Sequence, residues 1–193
     1  MHYDYDALAD TVRKIKEGDM ASFRLLYDKT QRQIYYLALK ILRNKEEAED
    51  ILQDTYISAY KHIQNCKNDR AVVSWLTTIA YNHIRDRQSE MVKKNKVFII
   101  ETEDNEMIYQ VADTTSIEDD LISREDEDMI LALIDTLPEK QRSALYMYYF
   151  QGLTAAEIAE ACGCNENLVY KRLFDARQTI KKKLTTDGRR EQR

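Results

Sequence analysis

Apolar residues recur three and four positions apart through most of the chain, the period of a helix buried on one face rather than the alternation of a strand. Asp19 is placed to cap a helix from Met20, on which Phe23, Leu26 and Tyr27 share a face, and the run QIYYLALKIL carries the apolar character toward Asn44. Asn44 caps the next helix, with Glu47 three residues on as an Asn variant of the capping box. Ala48, Ile51, Leu52, Ala59 and Ile63 then line one face, to a helix end at about His62 or Ile63. A further helix over Val73 to Arg87 carries Trp75, Leu76, Ile79, Ala80 and Ile84, a spacing that puts the single tryptophan in the core. Between Val97 and Glu125 the period fades into acidic and Thr/Ser residues, with VFII the only strand-like run, and this stretch reads as a linker. From Glu125 it returns at Met129, Leu133 and Leu137; Pro138 opens one more helix and Gly152 closes it.

The stretch LTAAEIAEACGCNENLVYKRL, Leu153 to Leu173, predicts two short helices set at an angle. Thr154 caps the first, Ile158, Ala159 and Cys162 face inward, Gly163 supplies the left-handed residue that ends it, and Asn165 caps the second. This is a helix-turn-helix. Beyond Asn165, the residues Val169, Leu173, Ala176, Ile180 and Leu184 form a buried stripe. The other faces present Glu166, Asn167, Tyr170, Lys171, Arg172 and Arg177, with Lys181, Lys182 and Lys183 trailing. A recognition helix reads base edges from its first turns and holds phosphates with basic side chains, and this one has both sets.

Composition narrows the class. A chain of 193 residues, 44% hydrophobic and with one proline and four glycines, can bury one modest core or two small ones, built of helices. No run approaches a membrane span, and the start, MHYDYDALAD, is acidic where a signal peptide is basic and then apolar, so a soluble cytoplasmic protein with no membrane insertion is expected. Three cysteines, an odd number, suit a reducing compartment. The net charge of -5 conceals segregation: residues 101–128 hold twelve acidic side chains against one basic, while the blocks before and after are mildly basic. That pattern fits two nucleic-acid-facing modules on a solvated connector, or simply ordinary solvated helix faces. The lone Cys162-x-Cys164 lacks the four ligands of structural zinc, so both cysteines read as core plugs, whereas Cys66 falls in a predicted loop and is expected to be exposed. His2, His62 and His83 form no ligand pattern. No phosphate loop, nucleophile–base pair or metal set marks an enzyme, and no cofactor, metal or small-molecule substrate is implied.

On the helix opening near Lys45, Asp50, Gln53 and Asp54 fall at i, i+3 and i+4 and share one exposed patch. Alone, such a patch reads as a solvated acidic face; with a partner, it calls for a basic surface. On the next helix, Tyr81, Asn82, Arg85 and Arg87 lead into Met91, Lys93, Lys94 and Lys96, basic residues interleaved with aromatics that suit single-stranded DNA.

These pieces together resemble a known family. LPEKQRSALYMYYFQGLTAAEIAEACGCNENLVYKRLFDARQTIKKKL is similar to the promoter-binding domain of bacterial sigma factors of the extracytoplasmic-function type. EAEDILQDTYISAYKHI resembles the family's polymerase-binding helix, and SWLTTIAYNHIRDRQ its promoter-melting helix, in the family's order over about Ala21 to Leu184. The resemblance implies an all-α protein of two small helical domains joined by a flexible acidic linker. Residues 1–96 would bind core RNA polymerase and melt the minus-ten element, 97–124 would be the linker, and 125–193 would read the minus-thirty-five element of promoter DNA. It assigns Asp50, Gln53 and Asp54 to the polymerase clamp helices, and the loop Asn65, Lys67, Asn68 and Arg70 with Tyr81, Asn82 and Arg85 to minus-ten DNA. Glu166, Asn167, Tyr170, Lys171, Arg172 and Arg177 fall to minus-thirty-five DNA. Asp86 also matches and reads as holding Arg85 or Arg87. Glu101, Glu103, Asp104 and Glu106 would thread the polymerase RNA channel, or serve only to keep a tether soluble. An anti-sigma protein is implied as a further partner. The alternative from the residues themselves is a free-standing helix-turn-helix regulator, which would shift promoter DNA without polymerase.

Overall fold

A computed structural model describes residues 3–95 and 124–187, and every regular element among them is helical. In chain order these are α1 (Tyr5–Lys16), α2 (Ala21–Leu42), α3 (Lys45–His62), α4 (Val72–Asn95), α5 (Arg124–Asp135), α6 (Glu139–Leu145), α7 (Ala155–Cys162) and α8 (Glu166–Asp187). Short 3-10 turns at Ile63–Asn65 and Asp69–Ala71 join α3 to α4, and α6 runs into a π-helical turn over Tyr146–Phe150. The expected linker, its VFII run and its acidic residues lie outside the described residues, apart from Arg124 at the start of α5.

The first three helix starts have a local cause. Asp4 caps α1 by accepting the Ala7 N–H at 2.9 Å, and Leu8, Val12 and Ile15 bury one face of it. This helix was not among the sequence-based expectations, although Asp4 and that i, i+4, i+7 spacing are a complete signal for it. Asp19 takes the Ala21 N–H at 3.2 Å and the Ser22 hydroxyl at 2.7 Å at the head of α2. Asn44 accepts from Glu46 and Glu47 at 2.9 and 3.2 Å. The reciprocal half of the expected capping box is absent here, because Glu47 turns to Arg87 of α4 instead. α4 continues to Asn95, well past the predicted end at Arg87.

The first half packs α1 on α2, α2 on α3 and α3 on α4, around fully buried Leu26, Ile34, Leu37, Ile51, Leu76 and Ile84. Each such side chain contributes roughly 1.5–3 kcal/mol relative to exposure. Thr30 donates to the Leu26 carbonyl at 2.6 Å, which leaves its oxygen to accept the buried Tyr56 hydroxyl at 2.5 Å. Trp75 is half-buried against this core. The second half packs α8 against α6 and α7, around Val169, Leu173, Ile158 and Met147.

The halves abut through α4 on α7 and α2 on α6. Across the junction Lys40 pairs with Asp135 at 3.0 Å, the Thr77 hydroxyl donates to Gln151 Oε1 at 3.1 Å, and the buried Arg142 reaches the Ile41 carbonyl at 3.5 Å. No described helix is long and apolar enough to cross a membrane, and among the described residues no group of three or more His, Cys, Asp or Glu is placed to hold a metal.

Candidate nucleic-acid and partner interfaces

α3 carries the acidic patch. Asp50 is 60% exposed, with its carboxylate 3.5 Å from Arg87 of α4, which also pairs with Glu47. Gln53 is exposed and Asp54 half-buried on the adjoining turn. Beside Gln53 an open groove of about 540 Å³ runs between α2 and α3, walled by Phe23, Tyr27, Tyr56, Ile57 and Tyr60. Phe23 meets Tyr60 edge-on at 5.2 Å, and Tyr27 meets Tyr56 at 4.7 Å. Sequence reading isolated the polar residues and missed this aromatic wall. Its signal was Ile57 and Tyr60, apolar at i+4 and i+7 from Gln53 on a face otherwise read as polar.

The loop between α3 and α4 presents Asn65, Lys67, Asn68 and Arg70, all exposed. Asn68 is a local cap, accepting the Arg70 N–H at 3.1 Å, and Arg70 pairs with Asp6 of α1. Cys66 is 1% exposed, which corrects the expectation of an exposed thiol. The cause is α1: Lys16 donates to the Cys66 carbonyl at 2.5 Å and to Asp69 at 2.6 Å, folding the loop inward. Burial pushes the Cys66 thiol up from its ordinary pKa. Replacing Lys16 by Met should therefore loosen the loop. Charge-assisted bonds of this kind contribute about 1.5–3 kcal/mol, so amide exchange over residues 64–71 should rise about tenfold or more. Unchanged protection there would show that Lys16 does not organise the loop.

On α4, Asn82 accepts from Arg85 at 3.2 Å. Asp86 holds neither arginine, contrary to expectation, because Arg85 turns to Asn82 and Arg87 to Glu47 and Asp50. Tyr81 is 8% exposed in the α4–α7 junction, beside Cys162.

The helix-turn-helix has the expected local chemistry. Thr154 and Glu157 form a full capping box, Gly163 adopts φ 65°, and Asn165 Oδ1 accepts the Leu168 N–H at 2.8 Å. Glu166, Asn167 and Tyr170 are exposed on the first turns of α8 and Lys171 is half-exposed. Arg172 departs from the expected outward position and is 9% exposed. It follows Val169 by three residues and precedes Ala176 by four, which places it on the edge of the buried stripe. There its guanidinium donates to Cys164 Sγ at 3.7 Å. Arg177 is held by the Tyr149 hydroxyl at 3.0 Å and lies over the Tyr148 and Tyr149 rings. Val169, Leu173 and Ala176 are fully buried as expected, whereas Ile180 and Leu184 are only half-buried.

Family models identify both halves. Residues 26–90 match sigma-70 region 2, and residues 127–180 match sigma-70 region 4. The chain is 31% identical to the RNA polymerase sigma-H factor of Pseudomonas aeruginosa, covering 90% of this chain and 91% of that one. It is 32% identical to the ECF RNA polymerase sigma factor SigW of Bacillus subtilis, covering 90% and 94%. Among solved structures, CnrH in complex with the cytosolic domain of CnrY shares the fold at TM-score 0.63 and 17% identity, over 94% of this chain and 99% of that one. The sigma factor RpoE of Bartonella quintana, solved with the anti-sigma factor NepR, also gives TM-score 0.63, at 21% identity over 86% and 98%.

Proposed function

The chain belongs to the extracytoplasmic-function sigma factors of the sigma-70 family, and we propose that it acts as a dissociable, non-catalytic subunit of RNA polymerase in the cytoplasm. It binds core polymerase and directs initiation at specific promoters. The observation that carries this reading is the presence of both sigma regions, in order, in one helical chain.

Residues 1–96 form the head that docks on core polymerase and opens the minus-ten element, 97–124 the tether, and 125–193 the head that reads the minus-thirty-five element. Asp50, Gln53 and Asp54 meet the basic partner surface, and the aromatic groove beside Gln53 supplies the apolar contact that protein interfaces favour at their centre. The exposed loop residues Asn65, Lys67, Asn68 and Arg70, with Tyr81, Asn82 and Arg85 of α4, take the minus-ten strand. Contact through Tyr81 requires α7 to move off α4, since that side chain is covered in the junction. Glu166, Asn167, Tyr170 and Lys171 read or flank the upstream element, with Arg172 and Arg177 bracing the helix that carries them. Residues 1–96 hold 17 Lys+Arg against 14 Asp+Glu and residues 125–193 hold 11 against 12, so neither head attracts DNA strongly by charge alone, and useful affinity comes from mounting both on polymerase at a fixed separation. An anti-sigma protein that covers the α3 surface would hold the chain inactive.

Run-off transcription tests the reading: core enzyme with the purified chain should initiate at a cognate promoter about tenfold or more above core alone. No stimulation, combined with a gel shift of the same promoter by the chain alone, would establish a free-standing regulator instead.

A further inference from the structure

The turn of the helix-turn-helix holds a feature that promoter reading does not use. Cys162 ends α7, Gly163 reverses the chain with a left-handed backbone, and Cys164 precedes the Asn165 cap of α8. Both cysteines are half-buried against the core, and their thiols lie close enough to shift each other's ionisation. Arg172, itself nine-tenths buried, aims its guanidinium at Cys164 Sγ from 3.7 Å. Cys162 lies on the inner side, beside the Tyr81 hydroxyl of α4. A guanidinium within reach of a thiol sulfur favours that sulfur's ionised form.

We propose that Cys162 and Cys164 form an oxidisable dithiol whose substrate is a hydroperoxide, with Cys164 as the attacking sulfur and Cys162 as the resolving one. The Cys164 thiolate attacks one peroxide oxygen, the O–O bond breaks, and an S–O bond forms. The sulfur gives up two electrons, leaving a sulfenic acid, and the departing hydroxide or alkoxide takes a proton from solvent. Cys162 sulfur then attacks the sulfenic sulfur, the S–S bond forms, and the S–O oxygen leaves as water with the Cys162 proton. Two thiols and one hydroperoxide thus give one disulfide, one water and a second water or an alcohol.

The division of roles follows from the surroundings of the two sulfurs. The groups facing the turn are Arg172 from α8, Tyr81 and Arg85 from α4, the Arg85 guanidinium lying against Gly163 between the two cysteines, and, more distantly, Glu139 of α6, which acts on Tyr81. Interaction with Cys162 lowers the Cys164 thiol below its ordinary range, against the opposing effect of its burial, and Arg172, whose guanidinium reaches its sulfur at 3.7 Å, adds to the lowering. Interaction with Cys164, together with burial, pushes Cys162 up. The disulfide would close a small ring across one glycine; departure from relaxed disulfide geometry makes such bonds easier to reduce, so the change is reversible. Any effect on promoter reading rests on α8 being the recognition helix. The thiol chemistry does not, and the test reads that chemistry.

The reduced full-length protein is exposed to hydrogen peroxide at pH 7, alkylated and digested with trypsin. The peptide between Arg142 and Lys171 should lack two hydrogens, resist alkylation, and return to the dithiol with dithiothreitol, while Cys66 is labelled only after unfolding. Cys162→Ser should stop at a dimedone-trapped sulfenic acid on Cys164, and Cys164→Ser should leave Cys162 unoxidised. Alkylation of Cys164 should have its pH midpoint below the ordinary thiol range and move upward in Arg172→Gln. Midpoint rather than rate is the informative reading, because nucleophilicity falls as a thiol becomes more acidic. Recovery of the fully alkylated peptide after peroxide, equal oxidation of Cys162 in Cys164→Ser, or a midpoint in the ordinary thiol range near ~8.5 overturns the proposal.

Discussion

Replacing Asp50, Gln53 and Asp54 together by alanine is expected to weaken binding to core polymerase about a hundredfold or more, with little change in helix content or melting temperature. Polar contacts at the centre of an interface typically contribute about 1–1.5 kcal/mol each, so three of them amount to roughly 3–4 kcal/mol, or two to three decades in Kd. The fold should survive because none of the three holds it. Asp50 is largely exposed, and its partner Arg87 keeps Glu47 when Asp50 is removed. Gln53 is exposed, and alanine is a good residue for the interior of a helix. Fluorescence anisotropy with labelled core, alongside circular dichroism, separates binding from folding. Affinity within about threefold of the parent would return this face to solvent and leave the aromatic groove to account for docking.

Much of this was legible in the order of residues, because helix periodicity and capping chemistry are local. Thr154 with Glu157, Gly163 and Asn165 stand where their side chains and backbone dictate, and no tertiary contact is needed to place them. What the sequence hid depended on pairs far apart in the chain. The burial of Cys66 is set by Lys16, whose ammonium holds its carbonyl from 50 residues away in the chain. Glu47 left the capping box for Arg87, and Asp86 lost both arginines to other partners, because α3 and α4 lie side by side. Arg172 is legible in principle, because its spacing from Val169 and Ala176 puts it at the edge of the stripe even though its charge points to solvent. The packing of α4 on α7 could not be read from either motif, since each is complete by itself, yet it decides that Tyr81 is covered when the halves are together.

Leu173→Ala should give the opposite pattern to the α3 variant, preserving polymerase binding while abolishing transcription that depends on the upstream element. Leu173 is 1% exposed and lies on the one stripe by which α8 grips α6 and α7. Truncating a fully buried leucine costs about 2–5 kcal/mol, which is a large share of the 5–15 kcal/mol that holds a typical domain. The second half has little core to spare, since Ile180 and Leu184 further along α8 are only half-buried. The first half keeps α1 to α4 on their own buried residues and should continue to present Asp50, Gln53 and Asp54. Urea unfolding should show the loss in an early transition, and anisotropy with core should stay within about threefold of the parent. Run-off transcription should fall to background on promoters that need the minus-thirty-five element. If polymerase binding fell in parallel with promoter activity, the two heads would not be separable, and the contacts of α4 with α7 and α2 with α6 would have to be part of one folding unit.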